Sequence, residues 1–244
     1  MTDTAEAETP QPQQSSPGRL VLLFLRDIVF ILLAAVVISF LIKTFFIRSF
    51  YIPSASMENT LVVNDRVIVS LLSPGLTPLQ HGDVVVFQDP GGWLGSEPQT
   101  VPPSTPLNDV LAFIGLAAPT DNNHLIKRVI GLPGDHVKCC NALGKVTVNG
   151  VALNEPYIDL PAGVTKSDPY TFSVTVPKGD IWVMGDNRDE SADSAYNETQ
   201  RKNITPFVPL KDVTGKALLI SWPFDHWAFL GNYPAVFKEV PAAK

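Results

Sequence analysis

The sequence has few charged residues, and fewer of them are basic than acidic. Charged residues make up 17% of the 244 positions, below the roughly 25% of an average domain. The 18 Lys and Arg are outnumbered by 24 Asp and Glu, which gives a net charge of −6. Because nucleic-acid affinity depends on neutralising phosphates with basic side chains, this balance argues for no nucleic acid as partner.

Metal-binding and disulfide patterns are also missing. Cys139 and Cys140 are adjacent, so they are either a vicinal disulfide or two free thiols, and they do not make a zinc site. The four histidines lack ligand spacing, and the acidic run 186–189 with Asp193 does not follow the alternate ligand positions of an EF-hand loop. We therefore expect no metal and no cofactor.

One long apolar run is present near the N-terminus. Residues 28–42 carry no charge, and extending the run to Ile47 gives twenty residues, or about 30 Å of helix. A buried core helix and a cleavable signal peptide are the alternatives. The sequence Thr-Phe-Phe-Ile that follows the run lacks the small residues of a cleavage site, so we predict a membrane anchor.

The anchor divides the chain into three parts. Residues 1–18 hold three acids, no base and three prolines, which is typical of disorder. We predict a disordered tail over 1–19, a transmembrane anchor over 20–47 and a β-rich domain over 48–244. Arg19 and Arg26 precede the run, and Lys43 and Arg48 follow it, so the positive charges do not orient the helix.

Alternating apolar residues follow the anchor and predict a mainly β domain. Gly and Pro separate short runs without long helical segments, which favours an antiparallel sandwich or barrel, and Asn149-Gly150 signals a hairpin turn. The predicted strands cover 65–71, 83–88, 124–131, 135–139, 145–148, 170–176 and 181–184. Residues 89–123 are predicted to be an insertion, in which we expect a short helix over 107–118 that either packs on the body or lies at the bilayer surface.

Five ordered motifs point to one enzyme family. They are Ile-Pro-Ser-Ala-Ser-Met-Glu-Asn-Thr-Leu at 52–61, Asn-Asp-Arg-Val at 64–67, His-Gly-Asp-Val-Val-Val-Phe at 81–87, Leu-Ile-Lys-Arg-Val-Ile-Gly-Leu-Pro-Gly-Asp at 125–135 and Met-Gly-Asp-Asn-Arg-Asp-Glu-Ser-Ala-Asp-Ser at 184–194. In this order they resemble the type I signal peptidases, which are membrane-bound Ser/Lys endopeptidases.

The resemblance implies a fold, a substrate and a location. The fold is a signal-peptidase-like antiparallel β-domain, β-barrel-like, on one N-terminal transmembrane helix. The partners are membrane lipid and secreted preproteins, whose signal peptides are cut after an Ala-x-Ala pattern through an acyl-enzyme. The location is the plasma membrane, single-pass, with a cytoplasmic N-terminus and an extracytoplasmic catalytic domain.

The resemblance also implies residue roles. Ser56 is the nucleophile, Lys127 the general base, Ser54 the oxyanion-hole hydroxyl and Ser191 the group that orients the lysine. The remaining roles are those of the structural loop, Asp186, Arg188 and Asp193, and of the substrate pockets, Phe50, Ile52, Pro53 and Ile126. Core packing is the alternative for those four pocket residues.

Chemistry supports the pairing of Ser56 with Lys127. A serine hydroxyl is a weak nucleophile without an adjacent base. A lysine serves as base near neutral pH only when apolar surroundings lower its pKa from about 10.4. By strand alternation Lys127 shares a face with Leu125 and Val129, whereas Arg128 points to the other face.

Three positions depart from the family pattern. Asn59 replaces a proline, Glu190 an asparagine, and Ala195 an arginine, which leaves the ion pair of Asp193 open to Arg188 or Arg128.

Two rival functions remain. One is a self-cleaving Ser/Lys protease like the SOS repressors, which the anchor and the lack of a DNA-binding domain oppose. The other is a non-catalytic anchored β-domain that binds exported chains.

Overall fold

The computed structural model describes residues 17–95, 123–158, 160 and 163–243. The predicted disordered tail lies almost wholly outside these residues. So does most of the 89–123 insertion, together with the short helix predicted over 107–118.

The N-terminal apolar run forms helix α1, Pro17–Phe45, of 29 residues. At 1.5 Å per residue it is about 43 Å long, more than the roughly 30 Å hydrocarbon core of a bilayer. Within the described ranges it is the one helix long and apolar enough to cross a membrane, and none of its most apolar window is buried. It ends at Phe45, two residues before the predicted boundary, because Ile47 already pairs as a strand.

The rest of the described chain is mainly β, as predicted. The strands are β1 (Ile47–Tyr51), β2 (Arg66–Ser70), β3 (Val84–Gln88), β4 (His124–Gly131), β5 (His136–Cys139), β6 (Thr147–Val148), β7 (Val151–Ala152), β8 (Phe172–Thr175), β9 (Asp180–Met184), β10 (Val208–Pro209), β11 (Val213–Trp222) and β12 (Ala228–Phe229). Two short helices, α2 (Ser194–Gln200) and α3 (Pro234–Phe237), follow β9 and β12.

Two antiparallel sheets arrange these strands. The larger sheet has the order β1-β2-β11-β3-β4-β9-β10, with β12 paired to β11, and the smaller has the order β7-β6-β5-β8. Neither order closes on itself among the strands that the structure describes. The predicted antiparallel β fold is confirmed, but the larger sheet is open, with β1 and β10 at its ends, and does not form a closed barrel.

Local sequence explains the hairpin of the smaller sheet. Asn149 and Gly150 both have positive φ, 51° and 85°, and join β6 to β7. Such angles suit the tight turns that match strand twist, and Asn and Gly adopt them most easily. The adjacent Cys139 and Cys140, at the end of β5, form a disulfide.

Strand β4 holds Lys127 and Arg128 inside the larger sheet. This strand lies between β3 and β9, with Lys127 opposite Val85 and Arg128 opposite Met184. The end of β1 leads into the turn that carries Ser56. Apolar side chains from β1, β2, β3, β4 and β11 form one buried cluster beneath that turn.

Candidate active site

Ser56 and Lys127 meet in a buried position. The Lys127 Nζ donates to the Ser56 Oγ at 2.5 Å and to the Ile126 carbonyl oxygen at 3.0 Å. Ser56 is 6% exposed and Lys127 is 3% exposed. The two residues are 71 positions apart in sequence, so the fold brings them together by placing the turn after β1 beside the middle of β4.

Burial changes the protonation of the lysine. Removal from water lowers the pKa of Lys127 to about 8, although the negative charges of Asp193 and Asp186 act to raise it. Desolvation disfavours the charged ammonium because its hydration is lost. A substantial fraction of Lys127 is therefore neutral near pH 8, and a neutral amine can accept a proton from a hydroxyl.

The loop after β9 is hydrogen-bonded to the backbone of the Ser56 turn. The Asn187 backbone N–H donates to the Ser56 carbonyl oxygen at 3.2 Å, and its Nδ2 donates to the Ala55 carbonyl oxygen at 3.2 Å. Gly185 packs so closely that an added Cβ would collide with the Ser56 carbonyl oxygen and the Ser191 Oγ. The position of the hydroxyl thus depends on this loop.

Arg128 lies beside Lys127 in sequence but faces a different partner. Its guanidinium binds the Asp186 carboxylate through two hydrogen bonds, of 2.8 and 2.6 Å. The ring of Tyr157 lies 4.2 Å from its central carbon, and the Thr60 Oγ1 donates to Asp186 at 2.5 Å. Because the guanidinium is neutralised by Asp186 on the other face of β4, its permanent charge is balanced locally.

A second buried arginine fixes the same loop. Arg188 forms an ion pair with Glu155 of the smaller sheet's connection, and both side chains are at most 2% exposed. Arg188 also donates to the Gly185 carbonyl oxygen at 2.9 Å and to the Ser167 carbonyl oxygen at 3.0 Å. The segment over Gly185–Arg188 is therefore anchored to both sheets.

Asp193 is satisfied by backbone groups. Its side chain caps α2 by accepting from the Ala195 and Tyr196 N–H groups, and it also accepts from the Gly185 N–H at 2.8 Å. The two arginines considered as its partners pair elsewhere, with Asp186 and Glu155. Ala195 is fully buried, so surrounding residues fill the space that the arginine of the family pattern would occupy.

Of the two other departures from the family pattern, Asn59 affects the backbone and Glu190 has no visible consequence. Asn59 has φ of 83°, which the ring of proline forbids because it fixes φ near −65°. The turn after Met57 therefore follows a path that a proline could not take. Glu190 is exposed, and nothing in the structure explains its replacement of asparagine.

The two other predicted serines differ in their surroundings. The Ser54 Oγ lies 3.3 Å from the Ser56 Oγ and Ser54 is exposed. The Ser191 Oγ is buried and has no hydrogen-bond partner among the described residues. The lysine-orienting bond of Ser191 is thus not observed, and its role stays a prediction.

The predicted pocket residues lie together on a groove. Phe50, Ile52, Pro53 and Ile126 line it with Ser54 and Lys127. Phe50, Ile52 and Ile126 also belong to the buried apolar cluster beneath the turn. Core packing and groove lining are therefore not exclusive for these three side chains.

Sequence reasoning did not single out Thr60, Glu155 or Asn187. Thr60 and Asn187 stand inside motifs that were recognised, so their positions were available but their contacts were not. Glu155 stands outside all of the motifs, and nothing in a single sequence connects it to Arg188. The described residues contain no group of three or more His, Cys, Asp and Glu side chains that could hold a metal ion.

Comparisons with known proteins identify the family of this chain. A family model described as signal peptidase, peptidase S26, matches residues 25–222. Signal peptidase I of Mycobacterium tuberculosis is 37% identical over 244 aligned residues, covering 92% of this chain and 80% of its own. A probable signal peptidase I-2 of Synechocystis is 33% identical, covering 91% of this chain and 83% of its own.

A solved structure was also found. Signal peptidase I of Enterococcus faecalis V583 aligns with 57% of this chain and 95% of its own, at 23% identity and a TM-score of 0.36. A TM-score this low does not establish a shared fold.

The sequence matches define the class as serine endopeptidases. The chain belongs to the signal peptidase family, peptidase S26.

Proposed function

We propose that this chain is a membrane-bound endopeptidase that removes signal peptides from exported preproteins, with Ser56 as nucleophile and Lys127 as general base. The observation that carries the proposal is the 2.5 Å contact between Lys127 Nζ and Ser56 Oγ in a buried site. A serine becomes an effective nucleophile when a base lies within hydrogen-bond reach. The lowered pKa of Lys127, about 8, provides such a base near neutral pH.

The reaction proceeds through an acyl-enzyme. Neutral Lys127 takes the Ser56 proton as Oγ attacks the scissile carbonyl, and the resulting oxyanion accepts from the Ser56 backbone N–H and the Ser54 hydroxyl. Such preset donors each lower a barrier by about 3 kcal/mol. Lys127 then protonates the leaving amine. A water activated by Lys127 next hydrolyses the ester, releasing the signal peptide and restoring the Ser56 hydroxyl.

The groove sets the preference for small residues. Its walls, from Phe50, Ile52, Pro53 and Ile126, are apolar and enclose a volume of only about 60 Å³ beside Ser54 and Lys127. Small apolar side chains at −1 and −3, as in Ala-x-Ala, fit such shallow sites. Larger side chains would have to displace the buried cluster below, which is closely packed.

The membrane arrangement follows from the helix and the substrate. α1 spans the plasma membrane once, the N-terminus is cytoplasmic, and the catalytic domain lies on the outer side, where exported chains emerge. The strand β1 begins two residues after the helix ends. The groove is therefore tethered close to the lipid surface, beside which a membrane-inserted signal peptide ends.

Cleavage of a preprotein in detergent micelles tests the proposal. Ser56→Ala and Lys127→Ala should each lower kcat/KM by at least about 1,000-fold, as expected for members of one catalytic unit. Ser173→Ala and Lys138→Ala, at exposed positions of the smaller sheet, are the matched controls and should keep wild-type activity. Full activity in either dyad variant would refute the assignment, and a wild type that cuts nothing would favour the binding-domain alternative.

A further inference from the structure

The groove has a wall that the sequence did not suggest. Besides the residues from β1 and β4, Leu94 lines it. Leu94 stands in the loop that follows β3, directly before Gly95, and it is half-buried. It therefore adds an apolar side chain to the groove from a different part of the chain.

The position of Leu94 along the groove can be derived from the sheet. Gln88 pairs with His124, and the Asp89 N–H donates to the Asn123 carbonyl oxygen at 3.0 Å. The Leu94 N–H donates to the Asp89 carboxylate at 3.2 Å, so its backbone lies beside this end of β4. Lys127 is three residues farther along β4, or about 10 Å away. Leu94 thus marks the end of the groove opposite the dyad.

The loop that carries Leu94 is firmly held. The Asp89 carboxylate also accepts from the backbone N–H groups of Gly91 and Trp93, each at 2.9 Å. Trp93 is 2% exposed, and its indole N–H donates to the Thr205 carbonyl oxygen at 2.8 Å. A side chain on such a loop is a fixed wall, since moving it would break several of these bonds.

We propose that Leu94 sets the size limit at the −3 position of the substrate, an inference that rests on the proposed function. In an extended peptide, alternate side chains face one way and stand about 7 Å apart. With the scissile carbonyl at Ser56, the −1 side chain lies at the Lys127 end of the groove. The −3 side chain then lies one step farther toward Leu94, whose bulk excludes large residues there.

Peptide substrates that differ at one position test this inference with the full-length chain in detergent. The readout is the ratio of kcat/KM for Leu over Ala, measured separately at −3 and at −1. Leu94→Ala should raise the −3 ratio by about tenfold, the usual scale for a few methylenes in an apolar pocket, and leave the −1 ratio unchanged. Leu143→Ala, at an exposed position in the loop between β5 and β6, is the matched control and should change neither ratio.

A second variant keeps the test independent of folding. Leu94→Phe enlarges the wall and should lower the kcat/KM ratio of Val over Ala at −3. If Leu94→Ala relaxes both positions equally, or neither, Leu94 does not set the −3 limit although the proposed function stands. If the wild type cleaves none of the peptides, the proposed function fails and this inference fails with it.

Discussion

At the scale of single residues, the burial of Lys127 has a cost to folding and, in the proposed function, a use in catalysis. Its ammonium is buried beside Ser56, where a charged group is poorly stabilised. Asp193 and Asp186 offset part of that cost. The residual effect keeps the pKa near 8, which is also what the proposed chemistry needs. In the proposed function the same burial therefore serves activity, while it reduces stability.

Replacing the lysine should reveal that cost. Below pH 8 both folded and unfolded chains hold the Lys127 proton, so the folded state bears the full desolvation penalty. From pH 8 to 10.5 the folded chain releases the proton first. The unfolded chain then binds more protons, and stability rises with pH. The interval from about 8 to 10.5 corresponds to about 3 kcal/mol.

Lys127→Met should therefore unfold less easily than the wild type at pH 7, with an advantage of up to about 3 kcal/mol that shrinks toward pH 10. Thermal unfolding in detergent across this pH range measures the difference. Lys138→Met, at an exposed position, is the control. A gap between Lys127→Met and wild type that does not change with pH would contradict the lowered pKa.

Gly185 is the second residue whose identity the site requires. Because a Cβ there would collide with the Ser56 carbonyl oxygen and the Ser191 Oγ, Gly185→Ala should displace the nucleophile. Misplacement by about 1 Å commonly costs about 100-fold in rate, and we expect a loss of kcat/KM of that size. Gly75→Ala, where the added Cβ meets nothing within 4 Å, should keep its activity. Equal activity of the two variants would show that the close contact is unimportant.

At the scale of elements, the loop between β9 and α2 connects the two sheets to the dyad. Within this loop, Arg188 pairs with Glu155, and Asp186 pairs with Arg128. Asp193, which caps α2, accepts a hydrogen bond from the backbone N–H at the start of the loop. Each of these charges is buried and paired or hydrogen-bonded, as buried charges must be. The loop consequently holds the Ser56 turn in one arrangement.

Removing one partner of the second arginine should weaken this loop. Glu155→Gln removes the carboxylate that pairs with the buried Arg188 guanidinium, and breaking such a pair costs about 3 kcal/mol or more. For a chain of this size we expect the Tm to fall by about 10 °C. Glu190→Gln makes the same change at an exposed position of the same loop and should leave Tm nearly unchanged. A Tm for Glu155→Gln equal to that control would show that the ion pair contributes nothing.

Sequence predicted the elements whose apolar residues alternate clearly, and it missed those whose pattern is weak. β4 and β9 were expected where they lie. β11, Val213–Trp222, was missed, although it pairs with β2 and β3 in the middle of the sheet. Its buried positions include Ala217 and Gly215, and at Gly215 the backbone of Ser70 leaves no room for a Cβ. Small residues give little hydrophobic signal.

The candidate site shows the same division. The motifs paired Ser56 with Lys127, and the structure brings their side chains within hydrogen-bond distance, whereas their catalytic roles stay predictions. They did not indicate Glu155 or Leu94, whose contacts depend on how distant segments pack. The α2 helix was also missed, since its seven residues are too few to show helical periodicity and its cap, Asp193, was assigned to the loop alone.

At the scale of the whole molecule, a membrane-length helix is joined almost directly to a β-rich body. The helix exposes its apolar side chains, whereas the body buries three apolar clusters of its own. The dyad lies where the first strand of the body turns back toward β4. The proposed membrane anchor and the proposed catalytic pair therefore belong to neighbouring segments, the helix and the larger sheet that follows it.

The dependence of kcat/KM on pH, measured for preprotein cleavage by the full chain, tests the central claim most directly. This profile reports the ionisation of essential groups in the free enzyme. If neutral Lys127 is the base, activity rises with pH through an apparent pKa of about 8, as the folded protein loses the Lys127 proton. A profile without a rise between pH 6 and pH 9, or one centred near 10.5, would contradict the Ser56 and Lys127 dyad.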